Sequence, residues 1–152
     1  MRTSVRPLLA AVLAVALGLS GCAAGVDAPN PDPQTAKLCR SLIRDLPSTV
    51  DDQGKREVKP DSGLTAAWGH PAITLACGVG KPAGMNPGSR CWEVDGVGWY
   101  QQERDADIRF TTLGRKALVR VTVPNKYAPQ ANALTDLAKP IDRHIPVVRK
   151  CV

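Results

Sequence analysis

Two histidines, five cysteines and a few carboxylate pairs are the residues of this 152-residue chain whose types suit catalysis or covalent chemistry. A histidine base needs a nucleophile beside it. His70 lies in Trp68-Gly69-His70-Pro71, and His144 in Asp142-Arg143-His144-Ile145-Pro146, which reads as a surface turn. The serine nearest to a hydrolase motif, Ser89 in Pro87-Gly88-Ser89-Arg90, lacks the Gly-x-Ser-x-Gly frame. Asp51-Asp52, and Asp105 with Asp107, sit in polar stretches that offer no dry pocket to raise a carboxyl pKa. Gly78-Val79-Gly80-Lys81 runs into Pro82 and lacks the spacing of a phosphate-binding loop. No catalytic residue is assigned, and neither a cofactor nor a metal is expected.

The cysteines are more informative. Arg2 and Arg6 precede a charge-free run, Leu8 to Leu19, which ends in Leu19-Ser20-Gly21-Cys22. A charged start, a short apolar core and small residues are the parts of a secretory signal. As a helix the run is about 18 Å long against a hydrocarbon core of about 30 Å, a poor permanent span. Leu-Ser-Gly-Cys is the pattern of a lipobox, in which the Cys22 thiol takes a glyceride before cleavage on its N-terminal side. Residues 1–21 then form a lipoprotein signal peptide. Residues 22–34, with Pro29, Pro31 and Pro33 at alternate positions, read as a lipidated cysteine on a stiff, solvated tether.

Cys39, Cys77, Cys91 and Cys151 remain, an even number suited to two disulfides with three permitted pairings. No Cys-x-x-Cys occurs, which speaks against zinc, redox catalysis and haem attachment. The preferred pairing is Cys77–Cys91, closing the Gly- and Pro-rich loop Gly78 to Arg90, with Cys39–Cys151 tying the first helix to the C-terminus.

These residues must be positioned by a small set of elements. Asp32-Pro33 predicts a helix cap, and Leu38, Leu42, Ile43 and Leu46 the apolar face of the helix that follows, stopped by Pro47. Residues 48–63 are polar and read as a mobile loop. Leu64 to Trp68 and Ile73 to Val79 read as strands, and Asp95-Gly96 between valines as a hairpin turn. Ile108, Phe110 and Thr112, then Val119, Val121 and Val123, alternate as a second hairpin. Pro129 opens a last helix carrying Leu134 and Leu137, and Pro140 ends or kinks it. The expected class is α+β: one domain over residues 35–152, with an antiparallel sheet of about four to six strands. An N-terminal and a C-terminal helix pack on one face, and two disulfides staple the whole.

The formal charge of +6 would ordinarily raise nucleic acid as a partner. Export removes that reading, and loss of Arg2 and Arg6 leaves +4. The excess gathers after position 114, where Arg115, Lys116, Arg120 and Lys126 could meet anionic headgroups or acidic wall polymers. Trp68, Trp92, Trp99 and Tyr100 cluster in sequence and, with one Phe in the chain, read first as core. Trp68, His70, Arg115 and Lys116 are the candidate binding surface.

The ordered segments Ala66-Ala67-Trp68-Gly69-His70-Pro71-Ala72-Ile73, Cys77-Gly78-Val79, Gly96-Val97, Phe110-Thr111-Thr112-Leu113-Gly114-Arg115 and Val121-Thr122-Val123-Pro124 carry a resemblance. Across nearly all of residues 37–151 the chain resembles an actinobacterial family of small secreted or lipid-anchored envelope proteins catalogued as a domain of unknown function. That resemblance implies an envelope location and brings no activity or catalytic residues with it. The expected function is a non-enzymatic binding or structural module, lipid-anchored at the outer face of the cell membrane. Its partners would be membrane lipid through acylated Cys22 and an envelope protein, glycan or anionic polymer. The alternative is an envelope hydrolase acting on cell-wall material through His70.

Overall fold

The structure is a computed structural model and describes residues 22–151. The signal peptide expected over 1–21 lies outside the described residues. Helix α1 spans Pro33–Asp45. It starts where the sequence says, because the Asp32 carboxylate accepts hydrogen bonds from the N–H groups of Gln34 (3.0 Å) and Thr35 (3.1 Å). Its buried stripe of Ala36, Cys39 and Leu42 continues into Leu46, with Leu38 and Ile43 on its flanks.

Ten strands follow the chain: β1 (Ala24–Gly25), β2 (Thr49–Val50), β3 (Gln53–Arg56), β4 (Val58–Lys59), β5 (Thr65–Trp68), β6 (Ile73–Cys77), β7 (Trp92–Val94), β8 (Val97–Glu103), β9 (Asp107–Thr112) and β10 (Val119–Pro124). Eight of them form one antiparallel sheet in the order β2-β3-β5-β6-β10-β9-β8-β7, and β1 pairs in parallel with β4. The chain leaves β6 in the middle of the sheet and crosses to the far edge through residues 78–91. It then returns strand by strand until β10 closes on β6.

The sheet is wider than the four to six strands expected. The surplus is β2 and β3, from residues 48–63, which read from sequence as a mobile loop; β4 of the same stretch pairs with β1 instead. Asp51 (φ 48°) and Asp52 (φ 58°) form the turn between β2 and β3, both in the left-handed region that a tight two-residue hairpin requires. Asp95 (φ 47°) and Gly96 (φ 79°) do the same between β7 and β8. The second turn was legible because Gly follows Asp. The first carries two like charges and no glycine.

Alternation in β10 puts Val119, Val121 and Val123 into the core, beside Ala66 and Trp68 of β5, Ile73, Leu75 and Cys77 of β6, and Trp99 of β8. Trp99 meets Phe110 edge to face, with ring centroids 6.4 Å apart. Helix α2 spans Asn132–His144 and closes this core with α1. It continues through Pro140, where the sequence predicted an end or a kink. Proline inside a helix costs about 3 kcal/mol. Ile141 and Ile145, one on each side of the last helical turn, are both fully buried, and each such side chain contributes about 1.5–3 kcal/mol. Their burial offsets the lost backbone bond, so the helix continues.

The disulfides are Cys39–Cys77 and Cys91–Cys151, with Cα atoms 5.4 and 5.8 Å apart. Both expected partners are therefore exchanged. Cys77 is the last residue of β6 and faces the core toward α1, away from the loop that was expected to close on it. Cys91 precedes the edge strand β7, and the C-terminal segment reaches it by bridging Arg115 to Val147. Two structural disulfides suggest an extracytoplasmic protein. Among the described residues no helix is long and apolar enough to cross a membrane.

The stretch expected as a free tether is also partly folded. Ala24 N–H donates to the Glu57 carbonyl (2.9 Å) and Val26 N–H to the Lys59 carbonyl (3.1 Å). Ala24 and Val26 pack with Val58, Ala67 and Ala72 on the side of β5 turned away from the helices. Gly78 (φ 89°) lets Pro31 lie against the end of β6, since a Cβ there would stand 2.6 Å from the proline ring. Residues 24–31 are thus a strap across the sheet.

Candidate functional site

Trp68 ends β5 with no exposed surface, and its indole N–H donates to the Pro47 carbonyl at 3.0 Å. It is a core residue and leaves the candidate binding surface, because a side chain closed off from solvent cannot meet a ligand. The turn that follows is held tightly. Gly69 (φ 70°) approaches Gln53 and the Tyr127 hydroxyl so closely that a Cβ would lie 2.7 Å from that oxygen. Tyr127 in turn donates to the Pro71 carbonyl (2.8 Å).

His70 is exposed on this turn, and its neighbours are cations. Arg56 Nη1 donates to the Gly69 carbonyl (2.9 Å) and lies 3.3 Å from His70 Nδ1, while Lys126 Nζ donates to the His70 carbonyl (2.9 Å). A guanidinium only donates, so Nδ1 must accept and the ring proton sits on Nε2. No Ser, Asp or Glu side chain hydrogen-bonds His70 among the described residues. Arg56 Nη2 also donates to the Cys22 carbonyl. Cys22 is exposed and is the free cysteine of the described chain. The structure therefore gathers Cys22, Arg56, His70 and Lys126 at one end of the sheet. Arg56 was not singled out by the sequence, since its place beside residues 22 and 70 depends on the docked strap and on β3.

Arg115 and Lys116 part company. Lys116 is exposed, whereas the Arg115 side chain is 2% exposed. Its guanidinium donates to the carbonyls of Ile145 (2.9 Å) and Gly96 (3.1 Å) and pairs with Asp142 (2.9 Å). One planar fork thereby joins the end of α2, the β7–β8 turn and the loop before β10. A cation at a helix C-terminus also meets the negative end of its dipole. Arg115 is a clamp and leaves the candidate surface as well. The basic last quarter of the chain consequently forms no single face: Arg115 is buried, and Arg143 is engaged with Asp45.

That second pairing was not visible in sequence. Asp45, at the end of α1, accepts from Arg143 (2.6 Å) and lies 2.9 Å from His144 Nε2, at the end of α2. The His144 hydrogen bond, then the charges of Arg143 and His144, hold the Asp45 carboxyl below its ordinary 3.8 against a raising effect of partial burial. The group ties the two helix ends together. His144 belongs to the last helical turn and not to a free loop.

Asp51 shows the opposite balance. Its backbone N–H donates to the Asp136 carboxylate (2.8 Å). Burial, then the charges of Asp52 and Asp136, push its own carboxyl above 3.8. A carboxyl raised on folding destabilises when ionised, so the cost is full above the raised value and absent below 3.8. Asp51→Asn keeps a residue suited to the left-handed turn and removes the charge. It should stabilise by about 0.3 kcal/mol at neutral pH, the scale of one exposed like-charge pair. Urea midpoints at pH 7 and pH 3 check this, with the gain confined to pH 7.

Two open clefts also mark the surface. One of about 440 Å³ has Met85, Leu113, Leu118 and Val148 as its apolar lining, with Lys81 and Arg149 beside them. The other, of about 510 Å³, lies between Ile43 of α1 and the basic run Lys55, Arg56 and Lys59. Trp92, 49% exposed, stands at the β7 edge with the Arg90 guanidinium 5.4 Å from its ring centroid. Among the described residues no group of three or more His, Cys, Asp or Glu could hold a metal ion.

No curated protein and no solved structure matches the chain. A family model matches residues 7–149, and the chain belongs to that family, described as "Protein of unknown function (DUF3515)".

Proposed function

We propose that the protein is a lipid-anchored envelope lipoprotein acting as a non-enzymatic binding or structural module at the outer face of the cell membrane. The observation that carries this reading is the state of Cys22. It is exposed and unpaired, while Cys39, Cys77, Cys91 and Cys151 are engaged in disulfides, and it ends the lipobox. The strap makes the anchor short. Residues 24–26 are bonded to β4, and Arg56 holds the Cys22 carbonyl, so an acylated Cys22 would bring the His70 end of the domain to the headgroups. Arg56 and Lys126 stand at that end, and each basic residue near an anionic surface contributes about 1 kcal/mol of attraction.

The hydrolase alternative through His70 has little to support it. A base needs a nucleophile within reach and a group to orient it, and His70 has a guanidinium and an ammonium instead. Cys22→Ala should move the protein from the membrane fraction to the soluble or secreted fraction and abolish labelling by a palmitate analogue. Unchanged membrane association of that variant would overturn the anchor.

A further inference from the structure

One face of the sheet is not used by the helices. Alternation in β9 and β10 sends Ile108, Phe110, Val119, Val121 and Val123 toward the core, and Arg109, Thr111, Arg120 and Thr122 to the other side. In register, Arg120 stands between Thr111 and Ala76, and Thr65 continues that row beyond Ala76. Arg109 stands between Thr122 and Gln102 in the next row. The strap covers β5 on one side. On the other, loop 78–91 closes over β8, where Gln102 Nε2 donates to the Ala83 carbonyl (3.4 Å). Arg109, Arg120, Thr122 and Thr74 lie between them, half-exposed.

This trough sets two guanidinium groups on adjacent strands side by side. Arg109 Nε is a buried atom without a hydrogen-bond partner, as is the acceptor Gln102 Oε1 across from it. Among the described residues neither Arg109 nor Arg120 makes an ion pair, while Asp107 lies 3.6 Å from Arg104. Burial, then the neighbouring charge of Arg109 and that of Arg104, work against the Arg120 cation, and only Asp27 on the strap opposes them. Buried donors left unpaired are costly, and so are adjacent like charges. A ligand that supplies both acceptors and negative charge relieves both costs at once.

We propose that this face binds a phosphate group, held by the half-exposed Arg109 and Arg120 forks, with Asp27 of the strap as its built-in competitor. Two forks present more donors than one carboxylate can accept, and their double positive charge matches a phosphate dianion. The same chemistry suits a free phosphate or phosphomonoester and the phosphodiester of a lipid headgroup. The proposal names a ligand class for the binding-module reading and rests on it only in taking the site to bind and not to react.

The full chain in non-ionic detergent should be titrated by calorimetry with inorganic phosphate and, separately, with glycerophosphoglycerol, the soluble diester of an anionic lipid headgroup. Binding of phosphate alone identifies a free or monoester phosphate as the source, and binding of the diester identifies a headgroup. Arg109→Gln and Arg120→Gln should each weaken the bound probe at least about tenfold, the scale of one charge-assisted pair. Asp27→Asn should tighten it, and Lys37→Gln, exposed on α1 across the sheet, should leave it unchanged. Arg120→Gln removes a partly buried charge, so its thermal midpoint should stay level or rise, which separates lost binding from lost folding. No heat with either probe at about 10 mM, or wild-type affinity in the two arginine variants, would overturn the site. Membrane fractionation of Cys22→Ala is independent of these titrations, so failure of the anchor and failure of the site are read separately.

Discussion

Replacing Cys39 and Cys77 together by alanine should lower the thermal midpoint by about 15 °C. The bond closes 38 residues, worth about 4 kcal/mol in the chain-entropy account. For a chain of this size each kcal/mol moves the midpoint by about 3–4 °C. Both cysteines are fully buried between α1 and β6, so their removal adds a packing loss to the entropic one. Cys91–Cys151 closes a longer loop of 60 residues, for which the same account gives a similar figure. Access separates the two bonds: Cys91 and Cys151 are half-buried at the sheet edge. Mild reductant under native conditions should therefore open Cys91–Cys151 first, while Cys39–Cys77 yields only as the protein unfolds. Mass spectrometry after timed alkylation reads the order. Simultaneous labelling of all four cysteines, or a midpoint unchanged by the double substitution, would contradict the placement of Cys39–Cys77 in the core.

Trp68→Ala should cost about 4 kcal/mol, the usual range for emptying a buried aromatic site. It also leaves the Pro47 carbonyl without the indole donor. Trp68→Phe should cost about half as much, because it keeps most of the apolar volume and loses only that hydrogen bond and part of the packing. A residue on a binding surface behaves differently, since exposed substitutions fall within about 0.5 kcal/mol. Denaturant midpoints for the two variants decide the matter. Near-native stability of Trp68→Ala would return Trp68 to the surface.

Much of the fold was legible because it follows from short-range rules. Asp32 before Pro33 marks a helix start whatever the rest of the chain does, and Val119, Val121 and Val123 declare a half-buried strand by alternation alone. Other elements were hidden because distant burial outweighs local preference. Pro140 is a helix breaker on its own, yet α2 continues because Ile141 and Ile145 bury against a core assembled from the rest of the chain. Residues 49–59 look like loop, and become strands because β5 offers β3 its edge and the strap offers β4 another.

The candidate site divided along the same line. Residue type named His70, Lys116, Arg115 and Trp68, but only the fold could say that Trp68 is core and Arg115 a clamp. Arg109 and Arg120 lie on one face of adjacent strands by their own alternation. That neither of them faces an acid across the sheet appears only through the register of the neighbouring strands.

By itself the sequence displayed the Leu19-Ser20-Gly21-Cys22 pattern, the even set of four further cysteines and an α+β element order. The tertiary structure decided which cysteines pair, where the strap lies and which polar residues face one another. Pairing and proximity depend on which surfaces a chain buries together, and burial is a property of the whole chain that no local window contains.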